Sequence, residues 1–320
     1  MNTIGHIFKL TTFGESHGVA VGGVIDGCPS QLKLDFGFIE QELFRRKTAQ
    51  SSTSSQRKES DHVEWLSGLL DGVTLGTPIA FMVRNEDCKT EDYEALKDVY
   101  RPSHADFTYE QKYGIRDWRG GGRASARTTL PIVVAGAIAK QILKEKGIQI
   151  MAQVTAMGDE EQARRDGDTV GGIVECRIKG VPAGLGEPMF GKFSAELAHA
   201  MFSLPAVKGF EIGDGFVSAK MRGSEANDTF VNKNGKIATL TNHSGGIQGG
   251  ITNGDDIVFR VAFKPIPSIA QPQKTVNRAG ETCQIAIEGR HDVCALPRAV
   301  VLVEALAAMV TLDMAMLHRL

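Results

Sequence analysis

Two stretches of this chain are apolar on every face at helical length, and they narrow the architectures open to it. The stretch 125–146 centres on Ile132-Val133-Val134-Ala135-Gly136-Ala137-Ile138-Ala139, and 297–318 is nearly all apolar. A helix without a polar face has to be covered on several sides. The spacing predicts further helices at 36–46, from Phe36, Ile39 and Leu43, and at 194–203. Strands are expected at 19–26, 63–70, 78–84, 172–179, 207–212, 257–263 and 283–288. The turn Asp71-Gly72 reads as a hairpin joining the second and third of these. Strand and helix do not alternate regularly, so helices sandwiched between sheets fit better than a parallel α/β sheet.

Within 125–146, Ser125 is the expected cap, Gly147 the stop, and Pro131 marks either a kink or a late start. Lys140, Lys144 and Lys146 sit toward the C-terminal end, where the helix dipole favours cations. The last apolar stretch carries Glu304 and Asp313, whose cost at membrane depth favours a core or subunit-interface helix over a membrane span. Residues 158–168 are polar and read as a surface excursion. Residues 48–60, rich in Ser, Thr and Gln, have no periodicity. They read either as a surface loop or as a mobile flap whose flanking Arg46 and Arg57 close on an anion. With no internal repeat and no linker, one domain over 1–320 is expected.

Thirty-six Lys and Arg balance 38 Asp and Glu, a formal net charge of -2. That argues against nonspecific nucleic-acid binding and requires any anion site to come from local clustering. Five cysteines (Cys28, Cys88, Cys176, Cys283, Cys294) show no metal-ligand spacing and read as reduced thiols of a cytosolic protein. The N-terminus lacks the pattern of a signal peptide.

The local clustering is found in two glycine-flanked histidine segments. One is Thr12-Phe13-Gly14-Glu15-Ser16-His17-Gly18. The other runs from Arg101-Pro102-Ser103-His104-Ala105-Asp106 to Arg119-Gly120-Gly121-Gly122-Arg123-Ala124-Ser125-Ala126-Arg127. Arg116, Arg119, Arg123 and Arg127 surround three glycines ahead of the expected helix. Bare backbone N–H groups, guanidinium forks and imidazoles suit a phosphorylated small molecule. Histidine can give a proton near neutral pH. Gly14 to Gly18 also matches the Gly-x-Ser-x-Gly elbow of serine hydrolases, but that elbow needs a helix after the serine, and 19–26 reads as strand. The glycine-rich 244–250, the Lys264-Pro265-Ile266-Pro267-Ser268 stretch and Gly289-Arg290-His291-Asp292 are weaker signals of the same kind. Each is explained equally well by a turn.

Taken together, these segments resemble the chorismate synthase family over nearly the whole chain. The resemblance rests on 11–18, 107–117, 119–123, Gly-Val-Pro-Ala-Gly-Leu-Gly-Glu-Pro at 180–188, Val-Lys-Gly-Phe-Glu-Ile-Gly-Asp-Gly-Phe at 207–216, and 289–292. It implies an α+β fold, a β-α-β sandwich with helices between two antiparallel sheets, and a homotetramer. It implies a lyase of the shikimate pathway, serving aromatic amino acid biosynthesis in the cytoplasm. The reaction would be anti 1,4-elimination of phosphate from 5-enolpyruvylshikimate 3-phosphate, giving chorismate. Reduced FMN would be required but not consumed. NADPH would serve only indirectly, through an external flavin reductase. No metal is implied.

The same resemblance assigns roles. His17 would protonate the departing phosphate, and His104 would protonate or stabilise reduced flavin. Asp292, with Ser16, would assist proton transfer at the flavin. Arg46, Arg123, Arg127 and Arg290 would hold phosphate and carboxylates, and Ser52 falls where the family's flap carries a further arginine. Arg123, Ala124, Ser125, Pro205, Ala206, Gly250, Lys264 to Ser268 and Arg290 fall where the family binds FMN. Ala124 and Thr128 replace a hydroxyl and a carboxylate, Pro205 replaces an asparagine, and Val293 replaces a proline. These departures put substrate affinity in question and keep open a degenerate FMN- or phosphate-binding paralogue without turnover.

Overall fold

The computed structural model of the protein describes residues 1–47, 60–86, 90–287 and 292–319. Two antiparallel sheets enclose a layer of helices, the β-α-β sandwich expected. The first sheet has the strand order Thr3–Ile4, Lys9–Gly14, Ala20–Asp26, Ile79–Arg84, Glu64–Trp65. The second has the order Val207–Ile212, Ile257–Phe263, Gly172–Lys179, Gln149–Met157. Period-two alternation gives each sheet its inner face. Along Ile257–Phe263 the buried positions are Ile257, Phe259, Val261 and Phe263.

Between the sheets lie Phe36–Arg46, Leu130–Glu145, Phe193–Phe202 and Leu296–Leu317. Leu130–Glu145 packs on the first sheet and Leu296–Leu317 on the second, and the two pack on each other. They cross closely at Gly136, where a Cβ would come within 2.3 Å of Ala305 Cβ. Leu296–Leu317 is long and apolar enough to cross a membrane, yet 83% of its apolar window is buried inside the fold. Its charges have partners. Glu304 receives Arg45 at 2.7 and 3.0 Å, Lys140 at 2.6 Å and the Ala152 N–H at 3.0 Å. Burial pushes its carboxyl up, but Arg45 and Lys140 outweigh that and hold it below the usual range. Asp313 accepts the N–H groups of His6, Ile7 and Phe8 at 2.7, 2.7 and 2.9 Å, pinning the N-terminal segment to the core.

Some elements differ from the sequence expectation. Pro131 marks a late start: the helix begins at Leu130, after a short 3-10 turn at Ala126–Thr129 capped by Ser125. Asp71-Gly72 joins Leu69–Leu70 to Val73–Thr74, a smaller hairpin than expected, because the chain breaks at Gly68 with φ +80°. Gln149–Met157, unread in the sequence, is an edge strand whose side chains are mostly exposed and so lack an apolar alternation. The 158–168 excursion carries a helical turn, Glu160–Arg165. Strand Thr282–Ile285 pairs with Gln273–Val276 outside both sheets. This hairpin's end packs Ile285 and Ile287 on Leu96. Cys28, Cys176, Cys283 and Cys294 are free thiols, and burial pushes Cys28 up to about 11. Cys88 lies outside the described residues.

Candidate active site

Ser16 and His17 occupy the turn between strands Lys9–Gly14 and Ala20–Asp26. Strand on both sides excludes the hydrolase elbow, which needs a helix directly after the serine. The turn is held from outside itself. The Asn85 carboxamide donates to Glu15 O at 3.0 Å and to Gly18 O at 2.7 Å. Asn85 N–H donates to Val19 O at 3.1 Å, and Ser16 N–H to Gly122 O at 3.3 Å. Ser16 is buried, and the His17 ring stands edge-on to Tyr93 with centroids 5.1 Å apart.

His104 sits on a second turn, after Ser103 at φ +57°. Its surroundings are ionic. Arg101 donates to Asp106 from Nε at 2.8 Å, Nη2 at 2.6 Å and its backbone N–H at 3.0 Å. Arg116 Nη1 lies 3.3 Å from the same carboxylate, and all three side chains are buried. His104 Nδ1 faces Arg101 Nη2 at 3.0 Å and Asp106 Oδ1 at 3.2 Å. Burial lowers the His104 pKa, opposed by Asp106 and assisted by Arg101 and Lys264. The Asp106 carboxyl is raised by burial, but the hydrogen bonds and charge of Arg101 win and hold it far below the usual range. A neutral His104 accepting from Arg101 at Nδ1 carries its proton on Nε2.

The triple glycine joins the two turns. Gly120, Gly121 and Gly122 have φ of +56°, +79° and +52°, which residues with a side chain rarely adopt. A Cβ on Gly120 would lie 2.1 Å from two ring atoms of His17; one on Gly121 would lie 3.1 Å from His104 Cε1. This corrects the expectation of an open helix N-terminus. Residues 119–129 form two short 3-10 turns, and Gly121 and Gly122 are buried. Gly120 and Gly121 are bare because the imidazoles rest on them, and a Cβ on Gly122 would meet Asp117 at 3.3 Å.

The arginines are already engaged within the fold. Arg127 donates to Asn85 Oδ1 from Nε, to Asp61 Oδ1 at 2.9 Å and to Arg84 O at 2.9 Å. Arg46 Nη1 and Lys47 Nζ stand 3.8 and 3.9 Å from Asp61 Oδ2, so one buried carboxylate collects three cations. Arg123, expected at the ligand, reaches Thr12 Oγ1 at 2.8 Å, Gly14 O at 3.1 Å and Asn2 Oδ1 at 3.2 Å. Thr128 Oγ1 donates to Ser125 O at 2.8 Å and Arg123 O at 3.1 Å, closing the turn that carries Ala124 and Ser125. Ser52, Arg57, Arg290 and His291 lie outside the described residues.

A third set of loops borders His104. Lys264 Nζ donates to Ser103 O at 3.0 Å, and its backbone N–H to Ala206 O at 2.9 Å, drawing Pro205 and Ala206 to the same place. Burial and the nearby Lys208 lower the Lys264 pKa. Thr169 donates to Ile266 O at 2.7 Å, fixing the Lys264 to Ser268 loop with Pro265 and Pro267. The neighbouring Val170 N–H donates to Val293 O at 2.9 Å, which brings the segment after Asp292 alongside. Asp292 accepts from Arg298 at 3.1 Å. Gly250 packs against the 186–193 turn, its carbonyl accepting from Phe193 N–H at 2.8 Å.

Comparisons with known proteins give the family. The family model described as chorismate synthase matches residues 8–162 and 159–316. The chain belongs to the chorismate synthase family. It is 52% identical to the chorismate synthase of Parabacteroides distasonis, covering 100% of this chain and 99% of that one. It is 50% identical to that of a Cyanothece species, covering 98% and 96%. A crystal structure of chorismate synthase superposes with a TM-score of 0.78 at 29% identity, covering 98% of this chain and 93% of that chain.

Asp61 and Asn85 were missed in the sequence. No local pattern marks either, and each meets Arg127, 66 and 42 positions away in the chain. Arg101 and Asp106 stood inside a segment already singled out, but nothing in the spacing says that they clamp the histidine between them.

Proposed function

We propose that this protein converts 5-enolpyruvylshikimate 3-phosphate to chorismate and phosphate by anti 1,4-elimination, as a carbon–oxygen lyase of aromatic amino acid biosynthesis. The observation that carries this reading is the seating of His17 and His104 on adjacent glycines of one run. Two imidazoles on neighbouring residues can serve two ends of one small substrate. His17, on a turn held by neutral groups, gives its proton to the departing phosphate. His104 donates a hydrogen bond from Nε2. Arg46 and Lys47 supply positive charge for the substrate's anionic groups, with Asp61 as the counter-ion they leave.

The residues fit FMN by the chemistry of their donors. Burial and then the charge of Lys208 depress Lys264, a strain that an arriving phosphate would relieve, and Ser268, Ala206 and Pro205 border it. Lys264 would hold the phosphate, and His104 would face the ring. Reduced FMN supplies electron density to the substrate ring and a place for its proton. Asp292 and Ser16 would hold that proton's path, and Gly250 would contact the cofactor from its separate turn. The reducing equivalents would come from NADPH through a separate reductase.

We also propose a cytoplasmic homotetramer. Supporting it are the exposed edge strand with Met151, Val154 and Met157, and the hairpin around Phe230, Ile237 and Leu240. Light scattering at micromolar concentration tests the assembly.

The test of the reaction is anaerobic turnover with reduced FMN, following chorismate by absorbance. Turnover that His17→Ala reduces by about a hundredfold or more supports the assignment. Binding of substrate and FMN without turnover would instead support the degenerate paralogue, a reading favoured by Arg46 and Arg127 being already paired with Asp61. Ser52, Ala124 and Thr128 would then be the positions to restore first.

A further inference from the structure

We propose that Asn85 is a positioning residue that holds the Ser16–His17 turn in its working geometry and ties it to the Arg127–Asp61 pair. The inference rests on the proposed role of His17. A carboxamide has two N–H donors and one acceptor oxygen. Here the Nδ2 donors go to Glu15 O at 3.0 Å and Gly18 O at 2.7 Å, the two carbonyls that bracket Ser16 and His17. The oxygen faces Arg127 Nε. Its orientation follows from the chemistry: a flipped amide would set its NH2 against a guanidinium and its oxygen against two carbonyls. Asn85 is therefore the one side chain among the described contacts that grips both ends of the His17 turn while meeting the cation cluster. Arg127 continues the line to Asp61, and Asp61 to Arg46. An anion that displaces Asp61 from Arg46 thus acts on a chain of contacts that ends at the His17 turn.

The isosteric change separates the two halves of this role. Asn85→Asp keeps an acceptor for Arg127 but has no donor for Glu15 O or Gly18 O, and sets oxygens against them. Asn85→Ala also loses those donors, without adding charge. What the two variants share is therefore the loss of the grip on the turn.

The experiment measures kcat and KM of both variants in the full chain, beside the 13Cε1 resonance of His17 in 13C-histidine-labelled protein, assigned by its absence in His17→Gln. The expected result is a fall in kcat of roughly tenfold to a hundredfold with KM within about threefold, as for a misplaced reacting group. The His17 resonance should shift or broaden in both variants. A His17 resonance unmoved in both would overturn the proposal whatever the activity. So would a rise in KM at constant kcat, which would make Asn85 a substrate contact. If the wild-type protein does not turn over, the functional reading fails, and the resonance still decides the role of Asn85. Should either variant fail to fold, Asn85→Ser, which keeps one hydroxyl donor, is read by the same two outcomes.

Discussion

The two histidine turns are built from similar sequence and held by opposite means. The His17 turn is fixed by neutral hydrogen bonds from the Asn85 carboxamide and to the Gly122 carbonyl, and by an aromatic edge from Tyr93. The His104 turn is fixed by charge: Arg101, Asp106 and Arg116 are buried together, with Lys264 at its rim. Both rings rest on the same glycine run, so the difference lies behind them. A neutral clamp sets where an imidazole stands. A charged one also sets which nitrogen carries the proton. The pairing suits a site where one histidine gives up a proton and the other offers a hydrogen bond.

The largest expected effect breaks the charged side. Asp106→Asn leaves Arg101 and Arg116 buried beside a neutral amide. Removing one partner of a buried ion pair typically costs about 3–5 kcal/mol. Chemical denaturation should show a loss of that order. Replacing Asn85 on the neutral side should cost only about 1–3 kcal/mol, the penalty for unsatisfied carbonyls. Equal losses on both sides would mean that the ionic cluster adds no more to stability than ordinary hydrogen bonds.

Next in size is a comparison of adjacent glycines. Gly120→Ala places a Cβ at 2.1 Å from the His17 ring, so the ring or the turn has to move. Gly121→Ala meets His104 Cε1 at 3.1 Å, where a few tenths of an ångström suffice. Both positions have positive φ, so the backbone penalty of about 1–2 kcal/mol is shared and cancels in the comparison. Gly120→Ala should lower kcat by about a hundredfold, and Gly121→Ala by less than tenfold. Steady-state rates of the two variants at saturating substrate check this, and a larger loss at Gly121 would contradict the seating described.

The sandwich itself could be read from the chain. Apolar helices without a polar face demanded two covering layers, and the strands at 172–179, 207–212 and 257–263 stand where alternation put them. The edge strand Gln149–Met157 escaped, because an exposed edge carries no inward alternation. At the site, the histidines and glycines were legible as types, but their purpose was not. Bare glycines look alike in sequence whether they bind phosphate or seat a ring, and only the fold shows that Gly120 and Gly121 lie against His17 and His104. Asp61 and Asn85 were illegible for a different reason: each is an ordinary loop residue until the fold sets it against Arg127.

The smallest effect sharpens the comparison through pH. The ordinary pKa of histidine is 6.5, and in the fold His104 lies below it, first because it is buried and then because Arg101 and Lys264 face it, against the pull of Asp106. Between the two values the unfolded chain binds the proton and the folded one does not. Stability therefore falls as pH drops through 6.5 toward the folded value, then levels off. His104→Gln lacks this term, while the other histidines are common to both proteins. Asp106 and Glu304 have depressed carboxyls, so their contributions are lost only below their ordinary values of 3.8 and 4.5. Urea denaturation of wild type and His104→Gln at pH 7.5, 6.5 and 5.5 should show the wild type losing ground to the variant on the acid side. The change should be about 1.4 kcal/mol for each unit by which the fold depresses the pKa. The opposite trend would mean that Asp106 outweighs burial and that His104 is an imidazolium at neutral pH, with Nδ1–H donating to the carboxylate. His104 would then be a proton donor, the role proposed for His17, and the proposed division of labour between the two turns would have to be abandoned.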